Sequence, residues 1–284
     1  MILWIASYPK SGNTWLRTLI SSYYYSDNGI YSDNVINKIG QFPEKRHFTE
    51  FEYNQNIITD TSRFWLKAQQ KINQDRKLRF FKTHNAFGEL NNQKFTNKEN
   101  SIGCIYIVRD PRNVITSLKN HYEMNDEQAL KWMTNENKFI YDVQNFDKDG
   151  YSDFQFISSW ETNYNSWTVQ KQIPIKLVKY ESLLKETYIV FKDIIDFINK
   201  LTGINEKIDK ERLKNSVQTT SFNKLKNNEE KYGFSEAVLS QKTNKKIPFF
   251  FLGPENDWRK ILSDDLKIKL NKIYEKKLTE LSYI

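Results

Sequence analysis

Residues 2–15 read Ile2-Leu3-Trp4-Ile5-Ala6-Ser7-Tyr8-Pro9-Lys10-Ser11-Gly12-Asn13-Thr14-Trp15. Residues 2–7 form a short apolar run, the pattern of a strand buried on both faces of a parallel sheet. Pro9 and Gly12 punctuate it. Over 14–25, Trp15, Leu16, Leu19 and Ile20 recur at helical spacing. The chain therefore opens as strand, tight loop, helix. A loop of this kind can cradle an anion. The helix N-terminus leaves backbone N–H groups unpaired and carries partial positive charge, and a glycine lets those amides curl round a ligand. Lys10 adds a full charge, and Ser11, Asn13 and Thr14 add side-chain donors. The lysine precedes the glycine and G-x-x-x-x-G-K-[ST] is absent, so this is not a Walker A loop.

Outward from this stretch, strand and helix patterns alternate. The spacing predicts strands over 77–83, 101–108 and 174–180. It predicts helices over 113–121, 127–141, 154–170, 188–201 and 264–281, with a polar, irregular insertion of loops and short helices over 26–76. Alternation of this sort implies an α/β fold. We expect a P-loop-like three-layer α/β/α arrangement with a central parallel sheet, as one domain over 1–284. Ligands of such sheets bind beyond the carboxyl ends of the strands, where the remaining motifs fall.

The 284 residues carry a net charge of +8, and 38% are hydrophobic, enough for a large core without disulfides or metals. The basic residues are dispersed, with no long block, which favours a polyanionic small ligand over nucleic acid. The single cysteine, Cys104, lies in an apolar run and reads as a buried small hydrophobe; no metal is expected. The apolar stretches fall short of a membrane span, and the N-terminal run is too short for a signal peptide. The expectation is a soluble cytoplasmic protein.

A second anion site follows the third strand, at Arg109-Asp110-Pro111-Arg112. Arg109 can hold a phosphate with its planar fork. Ser117 lies eight residues on, inside the following helix, so the two can converge on one phosphate. A third motif, Phe80-Phe81-Lys82-Thr83-His84, puts a histidine just past a strand end. Histidine is the usual general base near neutral pH, and a hydroxyl acceptor needs one. His47 and His121 read as ordinary satisfied polar side chains.

Together these motifs resemble the PAPS-dependent sulfotransferases, which use 3′-phosphoadenosine 5′-phosphosulfate (PAPS) and release PAP. Tyr8–Trp15 is similar to their YPKSGTTW loop, differing only at Asn13. Lys82-Thr83-His84 is similar to their Lys-Thr-His, and Arg109 with Ser117 to their 3′-phosphate motif. The resemblance implies that Lys10, Ser11, Gly12, Asn13 and Thr14 hold the phosphosulfate and that Trp15 stacks on adenine. It implies His84 as the catalytic base, with Lys10 and Lys82 stabilising charge on the leaving oxygen. Tyr180 resembles the tyrosine that reaches the adenine. Thr220 and Phe222, with Ser221 between them, resemble pocket-lining positions. Phe251-Leu252-Gly253 resembles part of a closing loop often written R-K-G-x-x-G-D-W-K. Phe251 and Leu252 replace its Arg and Lys, and Lys245 or Lys246 is the candidate for the missing charge. The dimer segment of some relatives does not follow Trp258.

The implied acceptor is a hydroxyl or amine of a small molecule, carbohydrate or lipid. On the residues alone, a non-catalytic nucleotide-binding relative and a nucleotide-dependent phosphotransferase stay open.

Overall fold

Four parallel strands make the central sheet of the computed structural model, which describes residues 1–240 and 242–284. They are β1 (Ile2–Ala6), β2 (Arg79–Thr83), β3 (Ser101–Val108) and β4 (Ile175–Lys179), in the order β2-β1-β3-β4. Ala6 pairs with Thr83 on one side and Tyr106 on the other, and Val108 pairs with Lys179. These registers bring the ends of β1, β2 and β3 level, so the loops that leave them meet. Every residue of β1 is fully buried, as expected of a strand covered on both faces.

The two-residue alternation of the strands sorts their side chains into two cores. On one face Leu3, Ile5, Phe80, Ile105 and Ile107 pack against α1 (Asn13–Tyr25), α6 (Thr187–Thr202) and α7 (Lys210–Thr219). On the other, Trp4, Phe81, Cys104, Tyr106 and Val108 pack against α2 (Pro111–His121), α4 (Trp160–Val169) and α9 (Asp264–Glu280). This is the expected three-layer α/β/α fold. Neighbouring strands β1 and β3 send their following helices, α1 and α2, to opposite faces. That divergence opens a crevice at the carboxyl end of the sheet.

Two helices differ from expectation. The pattern over 127–141 yields α3 (Asp126–Thr134) and then a strand, Phe139–Ile140; that over 154–170 yields a strand, Gln155–Phe156, and then α4. The two short strands pair, Phe139 opposite Phe156. The reason is local. Asn135 turns to extended backbone at the end of α3, and the Ser159 hydroxyl accepts from Thr162 N–H, setting the start of α4. The aromatic residues between them mimic helical spacing but belong to a ladder. Tyr180 opens a short helix, α5 (Tyr180–Lys185), instead of ending β4. Helix α8 (Phe222–Tyr232) follows α7 after a two-residue turn. Among the described residues no helix is long and apolar enough to cross a membrane.

Candidate functional site

One cavity of about 1430 Å³ lies over the strand ends. Its wall includes Lys10, Gly12, Asn13, Thr14, Trp15, Lys82, His84, Arg109, Ser117, Tyr180, Ser221, Phe222, Phe251, Leu252 and Gly253. All but two of the residues expected to hold the cofactor or act in catalysis therefore share one space. The exceptions are Ser11 and Thr220. Ser11 is fully buried beneath the loop, its hydroxyl without a hydrogen-bond partner. Thr220 is fully buried and its hydroxyl donates to Ser216 O at 2.8 Å. Thr220 was expected to line the pocket; instead its carbonyl anchors the Trp15 indole N–H at 2.9 Å.

The cradle depends on glycine at one position. Gly12 has φ of 102°, and a Cβ there would sit 2.6 Å from Tyr180 Cδ2. Only glycine meets both demands. The first helical bond is Leu16 N–H to Gly12 O, so the amides of Asn13, Thr14 and Trp15 have no acceptor within α1. Asn13 contributes less than expected from its side chain: its Nδ2 donates to Ile5 O at 2.9 Å and Ser7 Oγ at 3.2 Å. Its amide group ties the loop to β1, leaving the backbone N–H for the cradle. Lys10 Nζ lies 4.1 Å over the Phe249 ring. Burial pulls its ammonium down to about 7, Glu236 opposing this and Lys82 and Arg109 reinforcing it.

Arg109 and Ser117 meet as the spacing required. Arg109 Nη1 lies 3.3 Å from Ser117 Oγ and donates to Lys10 O at 3.2 Å, linking the two anion sites. Its guanidinium stacks 4.2 Å over the Tyr180 ring, and its buried Nε has no partner. The turn itself is rigid. Asp110 caps α2 by accepting from Arg112 N–H, and the 1%-exposed Arg112 side chain pairs with the same carboxylate and stacks on Trp258. Lys245 and Lys246 do not line the main cavity. They line an adjoining surface crevice with Lys119 and Ser240, and Asn120 and Lys242 are common to both walls.

His84 sits where β2 ends. Its Nδ1 lies 2.8 Å from Ser7 O and 3.2 Å from Ser7 Oγ. A carbonyl can only accept, so Nδ1 carries the proton and Nε2 is left with a lone pair. Gln155 Oε1 accepts the His84 backbone N–H at 2.6 Å and fixes the turn. Burial, then Lys82, pulls the imidazole down to about 3, so it is neutral near pH 7. His47 is a satisfied side chain, its Nδ1 accepting from Glu44 N–H. His121, expected to be the same, instead lies on the cavity wall with its buried Nδ1 unpartnered.

Aromatic side chains from α1, α5 and α8 also share the cavity wall. Trp15 meets Tyr180 edge-on at 5.7 Å, and Ser221 and Phe222 at the start of α8 face it. Gly253, with φ of 51°, admits the Phe222 ring where any Cβ would clash at 2.2 Å. Sequence reasoning missed two residues here. Asn256 donates to Ser117 Oγ at 3.1 Å and accepts from Thr116 Oγ1 at 2.6 Å, clamping the closing loop on α2. Glu236 accepts from Thr14 Oγ1 at 2.6 Å. Glu236 belongs to no spacing pattern, and Asn256 stands where the closing-loop pattern has its second glycine, a departure that gave no sign of its clamping role.

This donor set fits a nucleotide carrying acidic groups at both ends. Lys10, Arg17, Lys82 and Arg109 all stand on the cavity wall, and the buried Arg109 Nε has no hydrogen-bond partner within the protein. Among the described residues no group of three or more His, Cys, Asp or Glu could hold a metal.

Comparison with known proteins places the chain as a whole. The sulfotransferase domain model matches residues 2–282. Luciferin sulfotransferase of Photinus pyralis is 23% identical over 99% of this chain and 72% of its own length. Human sulfotransferase 1E1 is 26% identical over 97% of this chain and 83% of its own. A crystal structure of mouse sulfotransferase SULT7A1 complexed with PAP has a TM-score of 0.57 at 21% identity, covering 98% of this chain and 84% of that one. That likeness is one of fold. With the domain match spanning nearly the whole chain, this protein belongs to the sulfotransferase family.

Proposed function

We propose that this chain, acting as one domain, transfers the sulfuryl group of PAPS to a hydroxyl of a small-molecule acceptor, with His84 as general base. The observation that carries the reading is the lock on His84. Ser7 O holds the Nδ1 proton, and the free Nε2 shares one cavity with the cradle and with Arg109. PAPS supplies the sulfuryl group and leaves as PAP.

The protein residues then have distinct roles. Lys10, Thr14 and the first amides of α1 would hold the phosphosulfate. Arg109 and Ser117 would hold the 3′-phosphate, and Trp15, Tyr180 and Phe222 the adenine. As the acceptor oxygen bonds to sulfur and the bridging S–O bond breaks, the acceptor proton passes to His84 Nε2. Negative charge grows on the bridging oxygen, where Lys10 and Lys82 are placed to stabilise it. A neutral imidazole is the form that can accept the proton, and the burial that keeps it neutral also strengthens each of these charge interactions.

The cavity wall also carries Gln41, Glu44, Asp142 and Gln155 together with Ile39, Ile140, Tyr141 and Val143, a mixed polar and apolar lining. A mixed lining of this kind suits a small acceptor that presents its hydroxyl among hydrogen-bonding groups and rests its body on apolar ones. The test is label transfer from PAPS across phenol, polyol, amine and lipid-alcohol acceptors. Transfer to one of these small acceptors, lost in His84→Ala, supports the reading. Retained transfer in His84→Ala refutes the base.

A further inference from the structure

Among the described residues Glu236 is the acidic side chain that bonds Thr14, Arg17 and Lys82, and it binds them as an anionic ligand would. It lies just beyond Gly233, where φ of 78° turns the chain out of α8. Phe234 then anchors the segment, packed 5.0 Å from Phe249 and 5.1 Å from Phe250. From that anchor the carboxylate reaches back across the cavity. Its Oε2 accepts from Thr14 Oγ1 at 2.6 Å. Its Oε1 accepts from Arg17 Nη2 at 2.5 Å and from Lys82 Nζ at 3.3 Å. The side chain is 20% exposed. Burial pushes the carboxyl up, but Arg17, Lys82 and the Thr14 hydroxyl outweigh it and hold it well below the usual carboxylate range.

These partners overlap the groups that would hold the phosphosulfate. Thr14 has one hydroxyl proton and can donate it to one acceptor at a time. A carboxylate and a phosphosulfate sharing this half-buried space would repel strongly. Without either anion, Lys10, Arg17 and Lys82 would stand as uncompensated buried cations, which is costly. The carboxylate therefore suits the nucleotide-free state and opposes the bound one.

We propose that Glu236 is a built-in counter-ion that occupies the phosphosulfate end of the cradle and must be displaced by the donor nucleotide. This rests on the PAPS reading above. The bound nucleotide exchanges one intramolecular anion for its own acidic groups, and its apparent affinity is lowered by the fraction of molecules in which Glu236 is seated.

The test is calorimetric titration of PAP into wild type, Glu236→Gln and Glu236→Ala, each first shown to melt cooperatively. Glu236→Gln keeps the size of the side chain and guards against misfolding of the alanine variant. If the seated state is favoured about tenfold, removing the charge tightens PAP about tenfold. Unchanged or weaker binding in Glu236→Gln, with wild type binding normally, overturns the proposal. It would make Glu236 a group that positions Thr14 and Lys82, and would leave the PAPS reading intact. Failure of PAP to bind any of the folded proteins overturns the PAPS reading, and this proposal with it.

Discussion

Arg109→Lys tests the assignment of the two ends of the cavity. Arg109 is 6% exposed, and its fork reaches Lys10 O and approaches Ser117 Oγ while stacking on Tyr180. Lysine keeps the charge but has a single ammonium in place of the fork. One lost charge-assisted hydrogen bond in such a site is worth about 1.5–3 kcal/mol, or roughly 10- to 150-fold in affinity. Calorimetry with PAP alone would not locate the loss, because Arg109 also supports the Lys10 carbonyl. The assay is a cycle: PAP and AMP, which lacks the 3′-phosphate, each titrated into wild type and Arg109→Lys. The expected outcome is a loss of roughly 10- to 150-fold for PAP and little for AMP. Ser117→Ala should show the same selectivity at smaller size. Equal losses for both ligands would refute the 3′-phosphate role and reduce Arg109 to a prop for the first loop.

His84→Ala should lower turnover by about 10²- to 10⁴-fold while changing PAP affinity little; a matched fall in PAP affinity would show the imidazole acting in binding. Lys10→Ala should slow turnover by about a hundredfold or more. Free Lys10 titrates near 7, and a bound dianion favours its charged form, so the complex holds more protons than the free protein above pH 7. PAP affinity should therefore fall as pH rises above 7, with proton uptake in calorimetry across buffers of different ionisation enthalpy; proton release would contradict the sign. Gly12→Ala combines a left-handed residue with a 2.6 Å clash. It should cost about 2–5 kcal/mol and lower Tm by roughly 5–15 °C, whereas Gly88→Ala, with open space around it, should leave Tm unchanged.

The layered fold was legible because β1 and β3 are short apolar runs and α1 and α6 carry strong helical stripes. The helix over 188–201 differs from α6 by one residue at each end. What misled was the aromatic stretch near 139–156. There Phe139 and Phe156 pair across a ladder, a long-range partnership that no local periodicity encodes. At the site, the residues that meet in the cavity were mostly those within eight of a strand end. The ones the sequence concealed are tertiary in origin. Asn256 matters because the closing loop folds over α2. Glu236 matters because an aromatic anchor at Phe234 swings it onto Thr14, 222 positions earlier. His121 showed the reverse: a residue that read as ordinary stands on the wall because α2 is aimed into the crevice.

The most direct test of the account is a crystal structure of the wild-type protein with PAP. The account predicts the 5′-phosphate on Lys10, Thr14 and the first amides of α1, with Glu236 withdrawn. It places the 3′-phosphate on Arg109 and Ser117, adenine between Trp15 and Phe222, and His84 Nε2 facing the vacated sulfuryl position. A nucleotide bound in the reverse sense, or elsewhere with Glu236 still seated on Thr14, would contradict it.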